Sequence, residues 1–356
     1  MIEAHPRLRF GIIGVGMIAD YHAQAIRAAH GATLVGVASR SAENVRAFAE
    51  KHSIPFFTTH MEELVTRPDI DVVCITTPSG AHLEPALAAI QAGKHVAIEK
   101  PLEITTQRVD QILHAARAAG VRVAPIFQAR FGAGARTLKA AVESMRFGQL
   151  VLCSAYVKWH RAAQYYQGWK GTLALDGGGV VINQAIHGID LLQWLIGMPA
   201  EVFAWKTRRV HIGIEAEDTA CASLRFESGA LGSIEASTAL WPGWSRRIEI
   251  TGERGSAALE DDRITRWDFR EPWPRDDEVR AFKPDEGMRG GSSAANAISI
   301  DGHVRQLQDL IDGLREKRPL LIEGAEGRKA VALVNALYAS AEREAPVALK
   351  EFVVPG

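Results

Sequence analysis

The 356-residue chain is poor in cysteine, in long apolar runs and in charge imbalance. Its three cysteines, Cys74, Cys153 and Cys221, are odd in number and far apart, which excludes a disulfide framework and CxxC-type zinc or redox sites. No apolar run approaches the ~20 residues of a membrane helix. The opening residues 1–7 lack the basic, apolar, small-residue order of a secretion signal, so a reducing cytoplasm is the expected setting. Lys plus Arg number 41 against 42 Asp plus Glu, a net charge of −1, which removes the electrostatic reason to expect nucleic acid or a membrane surface as partner. The 12 histidines form no HExxH pattern, and His52 with His60 shows no ligand spacing, so no metal site is expected.

What is present is an ordinary globular composition, 47% hydrophobic and 23% charged, in a chain long enough for about two domains at roughly 150 residues each. Apolar runs at 8–14, 33–38, 55–57, 71–76, 95–99 and 122–126 alternate with helical patterns, which predicts a doubly wound parallel sheet. After Phe127 the pattern changes to a helix over 134–145, a strand over 150–159, a helix over 181–196 and a meander of strands over 200–269. Residues 271–293 are expected to form a surface loop with Asp276-Asp277-Glu278 solvated, and helices over 302–317 and 325–343 close the chain. The expectation is an α/β protein: a dinucleotide-binding Rossmann domain over 1–126, then a substrate-binding and oligomerisation domain over 127–356 with a mostly antiparallel open sheet.

Gly14-Val15-Gly16-Met17-Ile18-Ala19 joins the first strand to the first helix. In this context Gly14 permits a tight turn and Gly16 a close approach to pyrophosphate, while the helix start at Met17 and Ile18 offers unpaired N–H donors. The second strand ends in Ser39-Arg40 where an NAD site usually has an acidic residue. A guanidinium can pair with a 2′-phosphate, which favours NADP(H) over NAD(H); the alternative is Arg40 stacked on the adenine of NAD.

Thr77-Pro78-Ser79 with His82, the run from Ala92 to His95 leading into Glu99-Lys100-Pro101, and Gly177-Gly178-Gly179 before a helix with His187 follow the glycine turn in order. In this combination the chain resembles the Gfo/Idh/MocA family of nicotinamide-dependent sugar and polyol oxidoreductases over nearly its whole length. The resemblance implies two domains, catalysis by Lys100 and His187, and Asn183 in the place of the family's Asp. An amide cannot act as a general base, so Asn183 is read as a hydroxyl-binding group. It also places Thr77, Pro78, Ser79, His82, Glu99 and Lys100 beside the cofactor, and implies a homodimer or homotetramer through the C-terminal sheet.

The residues support this independently. Lys100 follows a parallel strand at the edge where open α/β sheets bind ligands, and an ammonium there would stabilise a developing alkoxide. Asn183 and His187 are i and i+4, and an imidazole suits removal of a hydroxyl proton. The three glycines would let backbone approach a ligand or another chain segment closely. Asp190, one turn on, either orients His187 or bonds between helices. Gln128 and Arg130 either touch cofactor or substrate or serve as linker. All 8 tryptophans lie between Trp159 and Trp273. The stretch 158–170 is a candidate substrate loop, with His160, Tyr165 and Trp169 as contacts, whereas Trp194 is expected to pack.

The function expected is hydride transfer between a nicotinamide and a hydroxyl-bearing carbon of a sugar, polyol or sugar derivative. The alternatives are a same-fold NAD-dependent glycosidase using transient oxidation and a non-enzymatic dinucleotide or sugar sensor.

Overall fold

The computed structural model describes residues 7–282 and 299–352. The elements are β1 (Leu8–Ile13), α1 (Met17–Ala28), β2 (Ala32–Ala38), α2 (Ala42–Lys51), β3 (Phe56–Thr58), α3 (Met61–Val65) and β4 (Val72–Ile75). Next come α4 (Leu83–Gln91), β5 (His95–Ile98), α5 (Thr106–Ala119), β6 (Val123–Pro125), α6 (Ala133–Glu143), β7 (Leu150–Lys158) and α7 (Ile186–Ile196). Strands β8 (Glu201–Thr207), β9 (Thr219–Arg225), β10 (Leu231–Ser237), β11 (Arg247–Gly252), β12 (Gly255–Glu260) and β13 (Arg263–Phe269) follow. The chain closes with α8 (Asp276–Ala281), α9 (Asp301–Glu316), α10 (Gly324–Arg343) and β14 (Val347–Ala348).

Two compact units emerge. The first contains a six-stranded sheet in the order β3-β2-β1-β4-β5-β6, parallel throughout. Strand β4 is buried along its whole length, as its unbroken Val-Val-Cys-Ile run requires in a sheet covered on both faces. Sequence order reverses between β1 and β4, the topological switch point at which such sheets bind ligands. Helices α2 and α5 begin at hydroxyl caps, Ser41 accepting from the Asn44 amide and Thr105 from that of Arg108.

This unit is not one continuous stretch. It comprises Met1–Gln128 together with Ile300–Arg328, so α9 belongs to it although the sequence reading assigns everything after 126 to the second domain. The physical reason is α9's apolar face: Leu307, Leu310 and Ile311, with Leu320 beyond the helix, join Phe10, Ile12, Ala23 and Ile26 in one buried core. Gln306 completes the seam, accepting the Phe127 amide at 3.0 Å and donating to the Pro125 carbonyl at 2.7 Å.

The second unit, Ala129–Ser299 with Lys329–Gly356, is built on an eight-stranded sheet in the order β13-β12-β11-β7-β10-β9-β8-β14. Among the described residues of this sheet, only β7 and β10 pair in parallel. Alternating burial along β9 and β11 marks one face as packed and the other as open. The segment 271–282 departs from the expected loop: Asp276 opens α8 and is buried, its carboxylate paired with the Arg146 guanidinium at 2.5 Å and accepting the Trp267 indole N–H at 2.8 Å. Arg146 lies over the rings of Phe269, Trp273 and Trp267, so the charge of Asp276 is neutralised in an aromatic setting and not by water. Burial opposes the Arg146 bond, yet that bond, the larger influence, holds the Asp276 carboxyl far below the usual range. Residues 283–293 of the expected loop lie outside the described residues. No described helix is long and apolar enough to cross a membrane.

Candidate active site

In the first unit, three neighbouring strand ends carry the expected cofactor residues. Gly14 follows β1, Thr77 follows β4, and Lys100 follows β5. Gly14 has a φ of +100°, and a Cβ there would come within 2.8 Å of the Thr76 main chain, so the turn is pressed against β4. Gly16 would meet nothing within 4 Å, and as N-cap of α1 it presents a helix start without a side-chain cap. Open space before uncapped N–H groups fits a pyrophosphate. Met17 is exposed and Ile18 half-buried beside it, Ser39 is half-buried and Arg40 exposed at the end of β2.

The turn after β4 is held from inside. Thr77 Oγ1 donates to the Ala81 carbonyl, Ser79 is buried, and Pro78 is half-buried. His82, expected beside the cofactor, is buried with Nδ1 2.9 Å from the Pro101 carbonyl and Nε2 3.0 Å from that of Thr77. It therefore ties the Thr77 turn to the Lys100-Pro101 segment, and burial lowers its pKa against the pull of both carbonyls. Glu99, also expected at the cofactor, turns inward: Oε1 meets His22 Nε2 at 2.9 Å and Oε2 accepts the Lys100 amide at 3.1 Å. Lys100 itself is half-buried. Gln128 packs under Gly302, and its Oε1 has no hydrogen-bond partner among the described residues.

In the second unit, the expected single helix over 181–196 is a π turn, Val181–Ala185, running into α7. Its start is held by side chains from elsewhere in the unit. Glu217 Oε1 accepts the Gly179 and Val181 amides and the Tyr338 hydroxyl at 3.2, 3.0 and 2.9 Å, while Tyr338 Oη accepts the Ile182 amide. These bonds satisfy donors that have no i→i−4 partner at a helix start, and π turns recur at functional sites. The glycine run has its reason here too: a Cβ at Gly178 would strike Tyr338, and one at Gly179 the Glu217 carbonyl. The close approach is to a chain segment. Burial raises the Glu217 pKa despite these donors.

Asn183 and His187 lie on either side of the π-to-α junction, 7% and 9% exposed. Asn183 is tied into a network: its Nδ2 donates to Asp176 Oδ1 at 2.5 Å, and its Oδ1 accepts the Tyr165 hydroxyl at 3.0 Å and the Gln184 amide at 2.9 Å. Arg161 donates to Gln184 and faces the Tyr165 ring, over which Lys170 also sits at 3.8 Å. Burial pushes the Tyr165 phenol far up, and that of Tyr166 to about 12. Tyr165 and Trp169 are half-buried, and His160 stands edge-on to Trp241. Arg130, expected either to touch cofactor or substrate or to serve as linker, is fully buried and paired with Asp190 at 2.6 and 2.8 Å. A guanidinium this deep needs its carboxylate, so Asp190 makes at least the bond between segments that the sequence allowed for it. Trp194 packs as expected, with Lys139 donating to its carbonyl.

Sequence reasoning missed Asp176, Glu217, Tyr338 and the His22–Glu99–His303 cluster. Only Asp176, directly before the glycine run, carried a local signal.

Residues 8–127 match the oxidoreductase family described as an NAD-binding Rossmann fold, and residues 135–258 match the GFO/IDH/MocA C-terminal domain. The chain belongs to the Gfo/Idh/MocA oxidoreductase family. It is 27% identical over 354 residues to the myo-inositol 2-dehydrogenase of Thermotoga maritima, covering 97% of this chain and all of that one. It is 35% identical to the 1,5-anhydro-D-fructose reductase of Ensifer adhaerens over 226 residues, 63% of this chain and 67% of that protein. The crystal structure of the WlbA dehydrogenase from Bordetella pertussis, in complex with NADH and UDP-GlcNAcA, matches with a TM-score of 0.85 and 31% identity, covering 98% of this chain and 99% of that one. This family member is an NAD(P)-dependent oxidoreductase.

Proposed function

We propose that the enzyme moves a hydride between a nicotinamide dinucleotide and a hydroxyl-bearing carbon of a sugar, polyol or sugar derivative. The observation that carries this reading is the alignment of the uncapped, space-facing glycine turn after β1 and Lys100 after β5 on one edge of one parallel sheet, with β4 between them. The substrate class follows the relatives, whose names specify myo-inositol, 1,5-anhydro-D-fructose and a nucleotide sugar acid.

When bound, the dinucleotide supplies the hydride acceptor or donor; the chain supplies the rest. Gly14, Gly16, Met17 and Ile18 hold its pyrophosphate at the start of α1. Thr77, Pro78 and Ser79 flank the strand edge on the nicotinamide side. Lys100 stabilises negative charge on the reacting oxygen, and His187 takes the hydroxyl proton in oxidation and returns it in reduction. Asn183 holds Tyr165 in place for substrate contact, with His160 and Trp169 as further contacts. Arg40 supports use of NADP(H), and the NADH in the WlbA complex supports NAD(H). The open face of the eight-stranded sheet joins subunits into a homodimer or homotetramer.

The test is a panel of myo-inositol, 1,5-anhydro-D-fructose and UDP-GlcNAcA with both oxidised and both reduced dinucleotides, followed at the nicotinamide absorbance. At least one sugar should be turned over, and Lys100→Ala should lower kcat by about 10²–10⁴-fold with dinucleotide affinity nearly unchanged. Normal turnover in that variant would refute the assignment.

A further inference from the structure

We propose that His22 and His303, acting through the Glu99 carboxylate, are positioning residues that fix the main chain of Lys100 and thereby aim its ammonium. The proposal rests on the reading of Lys100 as the group at the reacting oxygen. Three elements distant in sequence meet at this carboxylate: α1, which opens at the glycine turn, the end of β5, and the start of α9. Glu99 is 6% exposed, His22 0% and His303 1%. Oε1 lies 2.9 Å from His22 Nε2 and 3.4 Å from His303 Nε2, while Oε2 accepts the Lys100 amide at 3.1 Å. The two imidazoles are themselves edge to face, with centroids 5.5 Å apart.

A carboxylate this deep is costly unless donors surround it. Burial alone would raise the Glu99 pKa; the His22 bond and the His303 ring reverse that and hold it well below the usual carboxylate range. Burial pushes the His22 pKa down, so its ring stays neutral and donates through Nε2. The ionised carboxylate then makes a charge-assisted bond to the Lys100 amide, about twice as strong as a neutral one. Because one carboxylate bonds both His22 Nε2 and the Lys100 amide while resting against the His303 ring, rotation of Glu99 after loss of either imidazole displaces the Lys100 backbone.

The same three groups offer ligand atoms within 4.8 Å of one another, a spacing that a cation can also use. The His22 nitrogen, however, faces the carboxylate at hydrogen-bond length and uses the proton that a metal would displace. Neither residue lies beside Lys100 in sequence, and no motif links them.

The experiment compares Glu99→Gln, His22→Gln and His303→Gln with Lys100→Ala in the full-length protein. Nitrogen-15 lysine labelling follows the Lys100 amide, identified by its disappearance in Lys100→Ala. His303→Gln should move this resonance upfield as Glu99→Gln does. It should lower kcat on the sugar turned over by the native enzyme about 10–100-fold, with the NADH Kd within about two-fold. An unmoved resonance and native kcat in His303→Gln, with Lys100→Ala inactive, overturn the positioning role. Full turnover in Lys100→Ala overturns the reading of Lys100 instead. One equivalent of metal in the purified protein, lost in Glu99→Gln, also overturns the proposal. Should Glu99→Gln fail to fold, the His303→Gln result decides.

Discussion

Asp176 and Asn183, seven positions apart, are joined by a hydrogen bond of 2.5 Å from the side-chain amide to a carboxylate that is 1% exposed. This contact explains why an amide stands where the family resemblance puts an acid, since two carboxylates at this distance cannot both ionise. Asn183→Asp should force a proton onto the pair and raise a folded-state pKa above the unfolded value of ~3.9. The native state then binds more protons than the unfolded state, so the variant's stability is fully present in acid and lost as pH rises through the raised pKa. Melting from pH 4 to pH 8 should show a deficit against the native protein that grows with pH; a constant deficit would contradict the pairing.

At Glu217, Oε1 takes all three donors, whereas Oε2 adds only a second contact to the Gly179 amide at 3.1 Å. A single amide oxygen can replace Oε1. Glu217→Gln should therefore cost under about 1 kcal/mol, whereas Glu217→Ala leaves buried donors unpaired at roughly 1–3 kcal/mol each. Urea unfolding of the two variants measures the gap.

Arg146 and Asp276 form a buried pair with side chains 5% and 4% exposed. Arg146→Met should destabilise by about 3–5 kcal/mol because the carboxylate is left uncompensated. Since Asp276 titrates lower in the folded than in the unfolded state, its contribution is present above the unfolded pKa and fades as pH falls toward the folded value. The penalty of Arg146→Met should accordingly shrink on acidification, measured by unfolding at pH 7 and pH 3.

Arg40 is exposed at the end of β2, next to the Ser41 cap of α2. Arg40→Ala should weaken NADPH binding about ten-fold and NADH binding by less than about two-fold, the difference being the 2′-phosphate. Fluorescence titration with each dinucleotide gives the ratio. Equal losses would assign Arg40 to adenine stacking.

Leu231 and Leu152 pair across β10 and β7 and are about half exposed, and Trp205 on β8 is 58% exposed. If this open face joins subunits as proposed, light scattering should give the native protein a mass above that of one chain, and Leu231→Arg with Trp205→Glu should lower it to that of one chain. A native mass of one chain, or a mass unchanged in the variant, would refute assembly through this face.

The parallel sheet was legible in the sequence because each strand is a short apolar run bounded by glycine or a polar cap, and Gly14 announces the dinucleotide turn. Asp276 was not, since a charge run carries no sign of an arginine far upstream wrapped in aromatic rings. Nor was the fate of Glu99, because its partners come from helices whose apposition only folding creates. The grip of Glu217 and Tyr338 on the start of the π turn was hidden for the same reason, since neither leaves a mark near residue 181.

The discontinuous first unit has a consequence for biosynthesis. A nascent chain that has emerged only to residue 128 holds all six parallel strands yet lacks Leu307, Leu310, Ile311 and Leu320 of their core. The dinucleotide-binding half must therefore wait, its apolar surface uncovered, until α9 leaves the ribosome. Premature termination anywhere before α9 forfeits both halves, not merely the later one.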